Sequence, residues 1–195
     1  MNQPGMIVIL NGASSSGKTT LLGLLQERLE QPYLNAGIDK FIWMLPERWL
    51  ERPFWDDVLG LATAAGTVGH RLFSGMHHAV AELSRAGNNV LADHVLVEPA
   101  WLAECAALFA GLPAYLIGVR CPLEVLVERE KSRRNRTLGQ AAAQHPLVHA
   151  HGVYDFEVDT ARFNPQECAQ QVAEFLASSV EPRAFPILMK KFNPD

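Results

Sequence analysis

The sequence is poor in the features that mark secreted, metal-binding or membrane-spanning proteins. It has only 3 cysteines in 195 residues, and no two of them form a Cys-x-x-Cys pair, so neither a zinc site nor a disulfide framework is indicated. No apolar run approaches the roughly 20 residues that span a bilayer. No basic segment followed by an apolar stretch opens the chain. We therefore expect buried free thiols and a cytoplasmic protein that does not bind a membrane.

An excess of positive charge is also absent. The 17 basic and 21 acidic side chains give a net charge of −4, which argues against a protein that binds nucleic acid mainly through its phosphates. Apolar residues make up 48% of the chain, so a disordered chain is excluded. The length suits one domain, which we predict over residues 1–180, followed by an irregular, proline-containing tail over 181–195. A homo-oligomer is left open.

Strand-like and helix-like segments alternate along the chain. Strands are predicted over 6–10, 33–36, 89–93, 114–119 and 156–159, and longer helices over 20–29, 68–85, 100–110, 122–134 and 165–177. Repeated strand–helix units imply parallel pairing, right-handed crossovers and helices on both faces of the sheet. The sequence therefore predicts an α/β protein. Residues 46–55 are rich in proline and aromatic side chains and predict a loop or broken helix.

The most informative motif follows the first predicted strand. Its residues are Gly12, Ala13, Ser14, Ser15, Ser16, Gly17, Lys18 and Thr19, with Thr20 next in the chain. They fit Gly-x-x-x-x-Gly-Lys-Ser/Thr, the Walker A loop, in the strand–loop–helix context that this motif requires. The N–H groups of such a loop cradle phosphate oxygens at a helix N-terminus. We predict that these residues bind a nucleotide, that Lys18 reaches its β- and γ-phosphates, and that Thr19 is a Mg²⁺ ligand.

Two carboxylates follow predicted strands and could share a cleft with this loop, because ligands bind at the carboxyl ends of parallel strands. Asp93 ends the strand over 89–93. It fits a Mg²⁺-holding carboxylate or a group that binds a substrate hydroxyl, and a helix or turn cap is the alternative. Asp39 follows the second strand. It is either the base that accepts a proton from an attacking hydroxyl or the N-cap of a short helix.

A basic cluster and two tryptophans complete the candidates. The cluster consists of Arg129, Lys131, Arg133, Arg134 and Arg136. Arginines in a closing lid neutralise charge on a transferring phosphate, and we predict a lid over about residues 130–145; a solvated helix face is the alternative. Trp43 and Trp55 either belong to the core or wall a substrate pocket, and we assign them to substrate binding.

Taken together, these stretches resemble the chloramphenicol phosphotransferase family of small P-loop kinases. The resemblance rests on segments 9–18, 37–39, 90–93, 118–121, 129–130, 133–136, 148–149 and 154–160, in the order of the family, over roughly residues 6–177. The Walker loop alone is shared by many families, whereas the later segments together are more specific. Residues 40–75 and the tail after Val180 depart from the family pattern.

The resemblance implies an adenylate-kinase-like, three-layer fold with a mostly parallel sheet and a small lid. It also implies ATP and Mg²⁺ as cofactors and transfer of the γ-phosphate to a hydroxyl of chloramphenicol or a similar small molecule. Within that family pattern Asp39 matches the catalytic base, and Arg133 and Arg136 match the lid arginines.

Two other functions fit the same motifs. One is a metabolite, nucleoside or sugar-nucleotide kinase on the same scaffold. The other is an NTP-driven switch, although no Asn-Lys-x-Asp motif for guanine occurs in the chain. A candidate base together with a basic lid favours phosphoryl transfer over switching.

Overall fold

The computed structural model describes residues 3–51, 54, 58, 65–132 and 138–192. Strands and helices alternate through this part of the chain, as the sequence predicts. The strands are β1 (Ile7–Asn11), β2 (Tyr33–Asn35), β3 (Asn89–His94), β4 (Ala114–Arg120) and β5 (Phe156–Asp159). The helices are α1 (Lys18–Arg28), α2 (Ile38–Ile42), α3 (Thr67–Arg85), α4 (Pro99–Phe109), α5 (Leu123–Ser132), α6 (Gln140–Val148), α7 (Pro165–Ala177) and α8 (Ala184–Phe192), with a 3-10 turn at Glu47–Trp49.

The strands form one sheet in the order β2-β3-β1-β4-β5, and every pairing in it is parallel. The central strand β1 lies between β3 and β4. Its register brings Asn11 beside His94 of β3 and Gly118 of β4. The loop that follows β1 therefore emerges in the middle of the carboxyl edge of the sheet, where parallel α/β proteins bind ligands.

Alternating side chains of β1 feed two separate cores. Ile7 and Ile9 belong to the core that includes α3, α4 and α8, whereas Val8 and Leu10 belong to the core that includes α1 and α7. Because successive side chains of a strand point to opposite faces, an unbroken apolar strand is what a sheet covered on both faces needs. The predicted three-layer α/β fold is confirmed.

The prediction of an irregular tail over 181–195 is wrong for its central part. Residues 184–192 form α8, in which Phe185 and Leu188 are fully buried. The ring of Phe185 packs edge-on against Phe109 of α4 at 5.2 Å between centroids. Pro186 does not prevent the helix because it lies in the first turn, where backbone N–H groups have no intrahelical partner. Asp155 Oδ1 accepts the N–H groups of Arg183 and Ala184 and so caps the helix.

The predicted lid contains a second helix that the sequence pattern did not reveal. The helix expected over 122–134 is observed as α5, which ends at Ser132, and α6 begins at Gln140. Residues 133–137 lie between them, outside the described residues. Pro146 falls inside α6, and an internal proline normally argues against a helix.

Two other expectations can be checked against the described residues. Cys105, Cys121 and Cys168 are buried free thiols, which confirms the expectation for the cysteines. In the part of the chain that the structure describes, no helix combines the length and apolar character required to cross a bilayer.

Candidate active site

The phosphate loop joins β1 to α1, and its backbone is held in an unusual conformation. Gly17, the N-cap of α1, has φ 90°, and Ser15 has φ 66°. Positive φ costs a residue with a Cβ about 1–2 kcal/mol, so glycine is the favoured residue at position 17. The Nζ of Lys18 donates a hydrogen bond to the carbonyl of Ala13 at 2.8 Å. The loop therefore curls around its own lysine, whose side chain is almost fully buried.

The inside of the loop is rich in buried hydrogen-bonding groups. The hydroxyls of Ser14, Ser15 and Ser16 are buried and have no hydrogen-bond partner among the described residues. Buried polar atoms normally have partners. The first N–H groups of α1 likewise lack intrahelical acceptors and lie at the positive end of the helix dipole. This set of groups suits an anion with several oxygens, such as a polyphosphate.

Thr19 and Asp93 meet at the edge of the loop. The Thr19 hydroxyl donates to Asp93 Oδ2 at 2.8 Å, and the Asp93 carboxylate is buried. The two oxygens are hard donors of the kind that Mg²⁺ prefers. No group of three or more His, Cys, Asp or Glu side chains is arranged to hold a metal in the described ranges. The residues present therefore fit a Mg²⁺ ion that takes its other ligands from water and phosphate, as this ion usually does beside nucleotides.

The short helix α2 brings a second carboxylate to the cleft that the phosphate loop and Asp93 line. Its N-cap is Gly37, and Asp39 lies in its first turn and is half-buried. Asp39 lines the cleft together with Lys18, Thr19 and Asp93. The sequence had left open whether Asp39 is an N-cap; the structure gives that position to Gly37. Because Asp39 does not cap this helix, its carboxylate is able to face a substrate.

Position 37 requires glycine because the backbone there lies directly against the Asp93 carboxylate. A Cβ on Gly37 would lie 2.1 Å from Asp93 Oδ1, far inside van der Waals contact. The backbone of Gly37 has φ −65°, which alanine adopts without strain. We therefore expect Gly37→Ala to displace the Asp93 carboxylate by steric overlap alone and to raise the Mg²⁺ concentration for half-maximal activity about 10-fold or more.

The matched control for that prediction is Gly75→Ala on α3, where an added Cβ meets no atom within 4 Å. It should leave the Mg²⁺ dependence unchanged and, as a helix-interior replacement, raise stability by about 0.5–1 kcal/mol. Identical Mg²⁺ titrations for the two variants and the wild type would contradict the assigned contact.

Helix α6 contributes two glutamines that sequence reasoning missed. Gln140 and Gln144 are one helical turn apart, are both buried, and line the same cleft as Asp39. Gln144 Oε1 accepts the backbone N–H of Ser14 at 2.6 Å. The only available signal was two glutamines at i and i+4, and that spacing is common on helices.

A second cavity adjoins the phosphate loop on the side of α1. Its lining includes Thr20, Arg129 and Phe163, together with the loop residues Ser15 and Gly17. Arg129 donates from Nη1 to Thr160 Oγ1 at 3.1 Å and from Nη2 to the Thr160 carbonyl at 2.7 Å. One member of the predicted basic cluster is thus held in place beside the loop.

The remaining predicted site residues are only partly described. Trp43 directly follows α2, and its side chain is 69% exposed. Ile38 and Ile42 of the same helix line the cleft instead. Trp55, Arg133 and Arg136 lie outside the described residues, so their roles stay predictions.

A chain of hydrogen bonds lies behind the end of β3. Glu104 Oε2 is 2.5 Å from His77 Nδ1, His77 Nε2 is 2.9 Å from His94 Nε2, and the Val95 N–H donates to His94 Nδ1 at 2.7 Å. Because His94 Nδ1 accepts, its Nε2 carries the proton and donates to His77, which in turn donates to Glu104. Both imidazoles are neutral, and burial lowers the pKa of each. Separations of 17 and 27 residues hid this chain from sequence reasoning.

Two further histidines, His149 and His151, follow the C-terminus of α6 and contact Tyr154. The Tyr154 hydroxyl lies 2.6 Å from His149 Nδ1 and 3.1 Å from His151 Nε2. Burial, and then the charge of Arg120, lowers the pKa of His149 to about 3 and that of His151 to about 4. These histidines are therefore neutral in the folded protein at pH 7.

These lowered pKa values predict a loss of stability in acid. Below pH 6.5 the unfolded chain binds protons that the folded chain excludes, so the histidine contribution is present above about pH 6.5. It is lost as pH falls toward the folded pKa values of about 3 and 4. We expect the free energy of unfolding in urea to fall from pH 7.5 to pH 5, and to fall less for His149→Asn. His78→Asn, at a position on α3 whose side chain is 61% exposed, should follow the wild type; parallel curves for all three would contradict the assignment.

The fold is that of P-loop kinases. A sugar kinase from Janibacter sp. HTCC2649 matches with a TM-score of 0.68 and 17% sequence identity, over 90% of this chain and 96% of that chain. The APS kinase CysC of Mycobacterium tuberculosis matches with a TM-score of 0.62 and 17% identity, over 90% of this chain and 99% of that chain. At this level of identity the likeness concerns the fold alone.

The chain belongs to the chloramphenicol phosphotransferase-like family. The family model matches residues 5–177. A protein of Mycobacterium tuberculosis strain H37Rv that carries the name "Putative O-phosphotransferase Rv2636" is 32% identical over 201 residues, which cover 96% of this chain and 89% of that protein. The family resemblance drawn from the motifs is thereby confirmed.

Proposed function

We propose that this protein is a kinase that transfers the γ-phosphate of ATP to a hydroxyl of a small molecule. One observation carries the proposal: a single cleft is lined by the phosphate loop with Lys18, by the Thr19–Asp93 pair, and by the separate carboxylate of Asp39. The first two features suit a metal-bound nucleotide. The third feature, the Asp39 carboxylate, can accept the proton of an acceptor alcohol, and a protein that only binds nucleotide does not need such a group.

In the proposed mechanism the loop N–H groups and Lys18 bind the β- and γ-phosphates and stabilise the charge that develops during transfer. Thr19 and Asp93 would hold Mg²⁺, which when bound neutralises phosphate charge. Asp39 orients the acceptor hydroxyl and accepts its proton as the oxygen attacks the γ-phosphorus. The O–P bond to the acceptor forms while the bond from the γ-phosphorus to the β–γ bridging oxygen breaks, and ADP leaves.

The second cavity is suited to the nucleoside of ATP. It shares the loop residues Ser15 and Gly17 with the first cleft, does not include Asp39 in its lining, and offers an apolar wall at Leu21 and Phe163. The guanidinium of Arg129, held by Thr160, can stack on a planar base. The family resemblance supports Arg133 and Arg136 as groups that neutralise the transferring phosphate.

The acceptor would enter on the side of α2. Ile38, Ile42 and Val95 provide an apolar wall next to Asp39, which suits a molecule with a hydrophobic body and one reactive hydroxyl. Chloramphenicol, which has an aromatic body and two hydroxyls, is the acceptor that the family resemblance implies and is the first acceptor to test. Trp43 and Trp55 are proposed to contact the acceptor, because both lie in residues 40–75, the segment that departs from the family pattern.

The test is to measure ADP release with and without chloramphenicol and a panel of hydroxylated antibiotics and metabolites, and to search each mixture by mass spectrometry for addition of one phosphoryl group. Acceptor-dependent ADP release with a phosphorylated product supports the proposal. The opposite result would be nucleotide hydrolysis that a protein partner stimulates and that no alcohol changes. That result would favour a switch and contradict the proposed kinase activity.

A further inference from the structure

The side chain of Gln144 is buried at the mouth of the phosphate loop. Only 2% of its surface is exposed, and Ser14, its partner, is 5% exposed. A buried amide is costly unless it is hydrogen-bonded, yet an apolar residue of similar length would fill the same volume. The Ser14 N–H accounts for the carbonyl oxygen of this amide, which leaves its NH₂ group to be explained.

The orientation of the amide follows from its partner. The Ser14 N–H is a donor, so the group it contacts at 2.6 Å must be the carbonyl oxygen of Gln144. The NH₂ group of Gln144 then points away from that N–H. Gln144 lines the same cleft as Lys18, the residue that the Walker motif directs to the terminal phosphate. Its NH₂ group is therefore placed to meet an anion bound in that cleft.

Helix α6 is fixed at both ends, so this donor is held in advance of binding. At the first end the buried carboxylate of Glu130 accepts the N–H groups of Gly139 at 2.8 Å and Ala141 at 2.9 Å. At the other end Asn11 Nδ2 donates to the Val148 carbonyl at 2.8 Å. Because Asn11 ends β1, the helix is tied to the strand that carries the phosphate loop. Donors fixed in this way contribute most to transition-state stabilisation.

We propose that the NH₂ group of Gln144 donates a hydrogen bond to the terminal phosphate of bound ATP, while its carbonyl keeps Ser14 in place. The inference rests on the proposed function, since it assumes that the cleft binds ATP. It assigns to α6 a neutral donor to the transferred group, in addition to the charge of Lys18 and the arginines of the preceding segment.

The test compares the affinities of ADP and of AMPPNP, a non-hydrolysable ATP analogue, by calorimetry in the presence of Mg²⁺. Gln144→Glu keeps an oxygen for the Ser14 N–H but replaces the donor by a second, charged oxygen that repels phosphate. We expect it to weaken AMPPNP about 10-fold or more relative to ADP. Once an acceptor is known, kcat should fall about 10²-fold. Gln166→Glu makes the same replacement at an exposed position of α7 that does not line the cleft and should leave the affinity ratio unchanged.

Gln144→Met removes the donor without adding charge and should shift the ratio in the same direction by a smaller factor; it decides the test if the glutamate variant does not fold. Equal weakening of both nucleotides by the Gln144 variants, or an equal affinity ratio for Gln166→Glu and Gln144→Glu, would overturn this inference and leave the proposed function standing. A wild-type protein that binds neither nucleotide would overturn the proposed function and the inference with it.

Discussion

Replacing Lys18 by alanine is expected to lower kcat for phosphoryl transfer by about 10²–10³-fold. The ammonium lies inside the phosphate loop, next to where negative charge would accumulate in the proposed transfer, and it is buried, so water screens it little. No other side chain of the loop carries a charge. The measurement is steady-state ADP release with an identified acceptor, together with the melting temperature.

Lys190→Ala is the matched control, because that lysine is exposed on α8, far along the chain from the loop. It should keep wild-type turnover. The Lys18→Ala variant should keep its fold, since apolar side chains on both faces of the sheet form the two cores that hold the strands. Normal turnover by a folded Lys18→Ala variant would mean that phosphate binds elsewhere.

Replacing Asp39 by asparagine is expected to lower kcat by about 10²–10⁴-fold with nucleotide affinity retained, because asparagine keeps the shape of the side chain and removes the basic oxygen. Asp93→Asn should behave differently. Its carboxylate accepts the Thr19 hydroxyl and is assigned to Mg²⁺, so the variant should need more Mg²⁺ and recover activity when it is supplied.

The two variants are each other's control, and kcat should be measured for both over a range of Mg²⁺ concentrations. The roles must be exchanged if Asp39→Asn is rescued by added Mg²⁺ while Asp93→Asn has wild-type activity at every concentration. A pair of variants that lose activity equally and respond equally to Mg²⁺ would contradict the division of labour between the two carboxylates.

Sequence reasoning identified the parts of the site whose residues are close together in the chain or directly follow a predicted strand. The strand–loop–helix order of residues 7–28 follows from an apolar run, a glycine-rich loop and a helical stripe in direct succession. Asp93 and Asp39 were found because each follows a strand whose neighbours in a parallel sheet can be anticipated. These inferences needed the topology of the fold and no detail of side-chain packing.

The parts that were missed depend on contacts between distant segments. Gln144 was missed because its partner Ser14 lies 130 residues earlier in the chain. His77 was missed because its contact with His94 joins a helix to a strand. Helix α8 was missed because prolines in the tail outweighed the spacing of Phe185, Leu188 and Phe192, which is helical. Its stability comes from packing against α4 and from capping by Asp155, and neither can be read from local propensity.

The central claim is that the cleft moves a phosphoryl group from ATP to an alcohol. The most direct measurement is to incubate the protein with Mg²⁺, γ-³²P-labelled ATP and chloramphenicol, or another acceptor found in the screen, and to separate the products. Label covalently attached to the acceptor, in wild type but neither in Lys18→Ala nor in Asp39→Asn, is the predicted result. Label released only as inorganic phosphate, at the same rate with and without every alcohol tested, would contradict the account.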